Sequence, residues 1–149
     1  MGFCEPFFSS HQPMQFKHFL ILDDDPLSSL LNEMVVIHAG RDLQFVTFHD
    51  PQDCLTHIRI TPPTQDGPVC LLLDINMPKL NGWEFLTELE SFPKEIQNNY
   101  AVVIVTSSTD DVDLIRVQEH PLVCGYLTKP VTVDRFKQLL DHLGYRASA

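Results

Sequence analysis

The chain has 149 residues, of which 44% are hydrophobic and 20% are charged, and this suits one soluble globular domain. Its net charge is −10, and its lysines and arginines form no cluster, which argues against direct binding to nucleic acid. The sequence has neither the run of roughly 18 apolar residues that a membrane helix needs nor a signal-peptide pattern. We therefore expect a cytoplasmic protein without membrane contact.

The four cysteines form no C-x-x-C pair, and two of them, Cys70 and Cys124, lie in apolar runs. This pattern predicts buried free thiols rather than disulfides or a zinc site, as in a reducing compartment. The seven histidines show no metal-binding spacing either.

The first predicted elements follow a stretch that has neither helical nor strand-like hydrophobic periodicity. Residues 1–15 are interpreted as a poorly ordered tail ahead of a domain at 16–144. The apolar run 19–22 predicts a buried strand, and Pro26 favours the start of a helix that ends near Gly40. Residues at helical spacing predict the apolar face of this helix, namely Leu27, Leu30, Leu31, Met34 and Val35.

The remaining elements continue the alternation of strand and helix. The predicted strands are 43–48, 69–73, 100–105 and 123–127. Helices are predicted after Asp50, after Asn81–Gly82, after the capping residues 107–110 and before Gly144, and residues 145–149 form a short tail. This order predicts an α/β fold, a doubly wound parallel sheet of five (βα) units with the flavodoxin-like strand order 2-1-3-4-5.

Polar residues follow four of the five predicted strands at their carboxyl ends, where open α/β sheets bind ligands. They are Asp23–Asp24–Asp25, Asp74, Thr106–Ser107 and Thr128–Lys129. Two carboxylates about 4 Å apart repel by roughly 4 kcal/mol at an effective dielectric near 20, so this cluster needs a cation. Lys129 supplies one charge, and oxygen ligands indicate Mg²⁺, or else Mn²⁺, rather than zinc. Asp25 fits a helix cap instead.

The chemistry that suits this set is phosphoryl transfer. A carboxylate can attack phosphorus and hold the group as an acyl phosphate, and catalysis then consists mainly of positioning and charge neutralisation. The Thr106 hydroxyl and nearby backbone N–H groups would hydrogen-bond the phosphoryl oxygens.

Five short motifs, in this order and spacing, resemble the receiver domains of response regulators over residues 17–143. They are ILDDDP at 21–26, LLDINMP at 72–78, NG at 81–82, VTSS at 105–108 and GYLTKP at 125–130. The resemblance implies that Asp74 is the phosphoacceptor. It also implies that Asp24 binds the metal directly, that Asp23 acts through water, and that Asn76 offers its backbone carbonyl.

The same resemblance assigns the later residues. Thr106 matches the switch hydroxyl, Tyr126 the aromatic switch residue, and Lys129 the lysine beside the phosphoryl group, whose bond to Pro130 is often cis in this family. The chain departs from the family at 119–124, where Pro121 is expected to shorten the preceding helix.

The resemblance implies a stand-alone phosphorylation switch of a two-component system. A sensor histidine kinase or a histidine phosphotransfer protein would donate the group, and the signal would pass to a partner protein or along a phosphorelay. We expect no enzyme activity beyond the chain's own phosphorylation and dephosphorylation.

Other classes remain as alternatives. One is a receiver-fold interaction module that is not phosphorylated, which the intact set of acidic, hydroxyl and lysine residues disfavours. Another is a haloacid-dehalogenase-type phosphatase, which would have a second acid where this chain has Asn76. A flavin or nucleotide binder would need a Gly- or Ser/Thr-rich loop after the first strand.

Overall fold

The computed structural model describes residues 16–62, 67–107 and 110–144 and forms one parallel five-stranded sheet between two layers of helices. The strand order is β2-β1-β3-β4-β5, which confirms the predicted topology. The strands are β1 His18–Leu22, β2 Gln44–Phe48, β3 Val69–Asp74, β4 Tyr100–Thr106 and β5 Val123–Thr128. The helices are α1 Pro26–Ala39, α2 Pro51–Ile60, α3 Gly82–Glu90, α4 Lys94–Gln97, α5 Asp111–Glu119 and α6 Val133–Gly144.

The two faces of the sheet bury separate hydrophobic clusters. One cluster includes Phe19, Ile21 and Phe136 and lies under α1 and α6. The other includes Leu71, Ile104 and Phe85 and lies under α2, α3 and α5. Each strand of a doubly covered parallel sheet contributes side chains to both faces, which explains its nearly continuous apolar sequence.

The predicted apolar face of α1 is wrong in four of its five residues. Of these residues only Val35 is buried, whereas the side chains of Leu27, Leu30, Leu31 and Met34 are 46–64% exposed. The buried side of the helix carries Ser29, Asn32, Val35 and Val36 instead. Ser29 is buried because its hydroxyl donates a hydrogen bond to the backbone carbonyl of Asp23, at 3.0 Å.

Local signals place the ends of most helices as predicted. Asp25 caps α1 by accepting a hydrogen bond from the N–H of Leu27, and Asn81 caps α3 through a capping box with Glu84. Helix α5 ends one residue before His120, whose extended backbone suits the position before Pro121. The single-turn helix α4 was not predicted.

Several other expectations concern single residues or segments. Cys54, Cys70 and Cys124 are buried free thiols, as predicted, while Cys4 lies outside the described residues. The predicted tails at 1–15 and 145–149 also lie outside the described residues. Within the described part of the chain, no helix is long and apolar enough to cross a membrane.

Candidate functional site

Three carboxylates meet at the carboxyl edge of the sheet. Because Leu22 of β1 pairs with Leu73 of β3, the residues that follow these two strands lie side by side. One carboxylate oxygen from each of Asp23, Asp24 and Asp74 lies within 4.8 Å of the others. The structure therefore brings together the acidic residues that the sequence placed on two separate strands.

Asp23 is fully buried and is held by three donors. Its carboxylate accepts hydrogen bonds from the Ser28 hydroxyl at 2.5 Å, the Asp25 backbone N–H at 3.0 Å and the Lys129 ammonium at 3.0 Å. Burial opposes ionisation of this carboxyl, but the hydrogen bonds and the charge of Lys129 outweigh it and lower the pKa of Asp23. Asp23 is therefore a firmly held carboxylate.

Asp74 is also buried, but it has fewer donors. Its carboxylate accepts a hydrogen bond from the Asn76 backbone N–H at 3.0 Å, and the Lys129 ammonium lies 3.5 Å from the other oxygen. Burial and the charge of Asp23 raise the pKa of Asp74, and they prevail over these two contacts. The ionised form of Asp74 is therefore the one that needs further positive charge.

Thr106, at the end of β4, and Lys129, directly after β5, complete the site. The backbone N–H of Lys129 donates to the Thr106 carbonyl at 2.8 Å, which fixes the two strand ends against each other. The Thr106 side chain is buried, and its hydroxyl lies 3.5 Å from the amide nitrogen of Asn76. The Lys129–Pro130 peptide bond is cis, as the resemblance implied.

Tyr126 lies two residues before the end of β5, and therefore below the carboxyl edge of the sheet, which we call the rim. It pairs with Ile104 of β4 and packs, half-buried, against the hydrophobic cluster under α3 and α5. Its role as an aromatic switch residue stays a prediction.

The loop after Asp74 comes close to the start of α3. The Gly82 N–H donates to the Ile75 carbonyl at 3.1 Å, and a Cβ on Gly82 would lie 2.7 Å from the Ile75 Cα. Only glycine fits this contact, since real Cβ atoms do not approach backbone so closely. The contact between this loop and the start of α3 therefore requires glycine at position 82.

Sequence reasoning missed the residues that orient Asp23 from outside the motifs. Ser28 reaches Asp23 from the first turn of α1, and the His49 ring lies 3.0 Å from the Asp23 carbonyl. The helical position of Ser28, one turn after the cap, is the sole sequence signal for its role. Nothing in the sequence links His49, at the end of β2, to this loop.

The oxygen atoms at this site suit a hard divalent cation as ligands. Three carboxylates and one ammonium leave two negative charges in excess, and oxygen ligands are those that Mg²⁺ and Mn²⁺ prefer. Among the described residues, no histidine or cysteine belongs to the cluster. Asp23, Asp24 and Asp74 could thus hold such an ion.

This fold and its acidic cluster define an α/β domain whose sheet edge could hold a metal ion, and comparison with known proteins identifies its class. Residues 19–141 match the family model described as the response regulator receiver domain, so the chain belongs to that family.

Three similar proteins illustrate the match. The chain is 32% identical over 125 residues to the transcriptional regulatory protein MalR of Bacillus subtilis; this covers 82% of the chain but 48% of MalR, about half its length. The two-component response regulator of Cytophaga hutchinsonii superposes with a TM-score of 0.76 at 22% identity, covering 87% and 97% of the two chains. The Mn²⁺-bound form of the response regulator Rcp1 gives a TM-score of 0.61 at 24% identity, covering 85% and 90%.

Proposed function

We propose that this receiver domain accepts a phosphoryl group on Asp74, with Mg²⁺ bound beside it, and signals or relays through a partner protein. The observation that carries this proposal is the excess of negative charge at the rim. Asp74 is buried among carboxylates that Lys129 alone cannot neutralise, so a divalent cation finds complementary ligands there. With that cation bound beside Lys129, the negative oxygens of a phosphoryl group would find complementary charge as well.

Asp23, Asp24 and Asp74 would hold the ion, together with the backbone carbonyl of Asn76. When bound, the ion neutralises charge on the carboxylates and on the phosphoryl oxygens. Support for a divalent ion comes from the oxygen-only donor set and from the similar protein Rcp1, which has a structure with Mn²⁺. Mn²⁺ is therefore a second possible occupant.

The proposed phosphodonor is a phosphorylated histidine of a sensor kinase or a phosphotransfer protein. An oxygen of the Asp74 carboxylate attacks phosphorus, the P–N bond breaks, and its electron pair stays on the imidazole, which then takes up a proton. The Lys129 ammonium, already 3.5 Å from Asp74, stabilises charge on the phosphoryl oxygens. Thr106 would donate its hydroxyl to one of these oxygens.

The output is proposed to be conformational. Phosphorylation favours one of two states of the domain, with Thr106 and Tyr126 as the residues that respond, and a partner protein binds the favoured state. Apart from its own phosphorylation and dephosphorylation, the domain needs no enzyme activity for this role. It acts in the cytoplasm without contacting nucleic acid directly.

Intact-mass measurement with a small phosphodonor such as acetyl phosphate tests the proposal. We expect wild type to gain one phosphoryl group when Mg²⁺ is present and none in EDTA, and Asp74→Asn to gain none. Asp25→Asn is the matched control, because Asp25 is exposed at the same rim and serves as a cap. A wild-type protein that stays unmodified with every donor and ion would favour the unphosphorylated interaction module.

A further inference from the structure

The outward side of helix α1 concentrates the exposed hydrophobic side chains of the part of the chain that the structure describes. Five of the nine large hydrophobic side chains that are exposed there belong to this one helix, and the other four are spread over β2, α2 and α5. Single exposed hydrophobic residues are normal, whereas a contiguous apolar face marks an interaction site. We call the five residues the outer α1 face; they are 46–64% exposed and comprise Leu27, Leu30, Leu31, Met34 and Ile37.

Four members of the outer α1 face have the spacing of helices that pair with one another. The intervals between them are three, four and three residues, which is the a-d-a-d pattern of a coiled-coil seam. The seam residues are Leu27, Leu30, Met34 and Ile37. The helix buries its opposite side against the sheet and α6, so the seam is left to solvent. A narrow a/d stripe of this kind suits another helix as its partner.

The seam is its own complement when two α1 helices run antiparallel. If Leu27 of one copy lies opposite Ile37 of the other, Leu30 lies opposite Met34 in the next layer. A two-fold axis repeats both contacts, as in a closed dimer whose two subunits use the same surface. The antiparallel direction also places each helix N-terminus beside the negative end of the other helix dipole.

The charge of helix α1 favours a second copy over a strongly charged partner. Each chain has a net charge of −10, so two copies repel each other over much of their surface. Helix α1 has no lysine or arginine, and its sole acid is Glu33, whose carboxylate accepts a hydrogen bond from the Thr47 hydroxyl. Two copies can therefore meet at this helix with little repulsion, whereas a highly charged partner would find almost no countercharge there.

The exposed area of this face is sufficient for a weak dimer. Its five side chains together expose roughly 500 Å², in the upper part of the range for the largest apolar patch on a monomer. Two copies would bury about twice that area, which is close to the lower limit for a specific interface. We propose that two copies of this chain associate through the outer α1 face as an antiparallel helix pair, with a dissociation constant on the order of 10–100 µM.

The dimer does not depend on phosphoryl transfer, so sedimentation equilibrium of the unmodified chain tests it. Over about 5–500 µM protein, we expect the weight-average mass to rise from that of one chain toward twice that value. NaCl at about 0.5 M should strengthen the association, because it screens the repulsion between two copies of net charge −10. A dimer that salt dissociates would be held by ion pairs and overturns the proposal. A mass that stays at one chain also overturns it and leaves the outer α1 face to a different protein or to residues 1–15 of the same chain.

Leu30→Lys tests whether the association uses this face. The new charge lies at the centre of the seam, and we expect the dissociation constant to rise at least about tenfold. Because the substitution makes the chain less negative, added repulsion between whole chains cannot explain such a loss. Leu30 is 51% exposed, so the unfolding midpoint at about 5 µM, where the chain is monomeric, should stay as in wild type.

Ile115→Lys is the matched control, because Ile115 on α5 is 52% exposed and the change of charge is the same. It should leave the dissociation constant within about twofold of wild type. If Ile115→Lys dissociates the dimer and Leu30→Lys does not, the copies meet through another face and the proposal is overturned.

A mixture of two variants tests the antiparallel arrangement. Leu30→Lys and Met34→Glu should each associate at least about tenfold more weakly than wild type. Mixed in equal amounts, they should associate to within about threefold of wild type, because one layer then pairs the lysine with the glutamate and the other layer is unchanged. In a parallel pair both layers would stay disrupted, so a mixture as weak as its components overturns the antiparallel pairing.

Discussion

Replacing the proposed phosphoacceptor should stabilise the metal-free protein, although most substitutions of buried residues destabilise. In Asp74→Asn the side chain keeps its shape and can still accept the hydrogen bond from the Asn76 N–H, but it loses its charge. The sign of the effect depends on whether attraction by Lys129 or repulsion by the other carboxylates is larger.

The distances settle the sign. Asp23 and Asp24 each lie within 4.8 Å of Asp74, and at an effective dielectric near 20 each repels it by about 3.5 kcal/mol. Lys129 attracts it at 3.5 Å by about 4.7 kcal/mol, so a net repulsion of about 2 kcal/mol remains. Solvent screening of the partly buried Asp24 and the weaker hydrogen bond to a neutral amide reduce this gain to about 1–2 kcal/mol.

Thermal unfolding in EDTA is the assay. For a domain of this size, each kcal/mol moves the midpoint by about 2–4 °C, so Asp74→Asn should melt about 2–8 °C above wild type. Mg²⁺ should raise the midpoint of wild type more than that of the variant, because the ion binds the native carboxylates. Asp42→Asn, at an exposed turn residue, should stay within about 0.5 kcal/mol of wild type. An Asp74→Asn midpoint at or below that of wild type in EDTA refutes the reasoning.

Three further predictions concern the core. Burial raises the pKa of Tyr100 to about 12, against about 10 in an unfolded chain, so the free energy of unfolding should fall by about 3 kcal/mol as the pH rises from about 10 to 12. Denaturant midpoints across this range should fall less for Tyr100→Phe. Gly82→Ala places a methyl group against the backbone of Ile75 and should cost about 1–3 kcal/mol in urea unfolding, whereas an unchanged midpoint would show that the loop can yield. On α1, Val36→Ala should cost about 2 kcal/mol and Leu31→Lys less than about 0.5 kcal/mol, and the reverse order would contradict the buried face.

The topology was predictable because each buried strand is a short apolar run and because helices α1, α2, α3 and α5 begin at a recognisable cap. Asp25, Asp50, Asn81 and Asp110 all cap helices through their side chains. The rim followed from the same pattern, since the carboxyl ends of parallel strands share one edge of the sheet. The residue-by-residue roles at this rim came from the resemblance, because spacing alone does not distinguish one aspartate from another.

The buried face of α1 could not be predicted from apolar spacing alone. Its outer side is more apolar than its inner side, where Ser29 and Asn32 are buried beside Val35 and Val36. Ser29 is buried because it bonds the Asp23 carbonyl, a partner outside the helix. The hydrogen bond from Trp83 to Asp113 escaped prediction for a similar reason, since it joins residues that lie 30 positions apart on α3 and α5.

The different environments of the rim carboxylates give a physical reason to choose Asp74 as the nucleophile. Asp23 is fully buried and its oxygens are taken by Ser28, Lys129 and a backbone N–H, so an attack on phosphorus would have to break these bonds. Asp74 has one backbone N–H and a longer contact with the same lysine, and burial together with the charge of Asp23 raises its pKa. Phosphorylation would convert this carboxylate into an acyl phosphate and place the negatively charged phosphoryl oxygens within reach of Lys129. Of the two buried carboxylates, Asp74 has the less compensated charge, and we therefore propose that its modification changes the charge balance of the rim more than modification of Asp23 would.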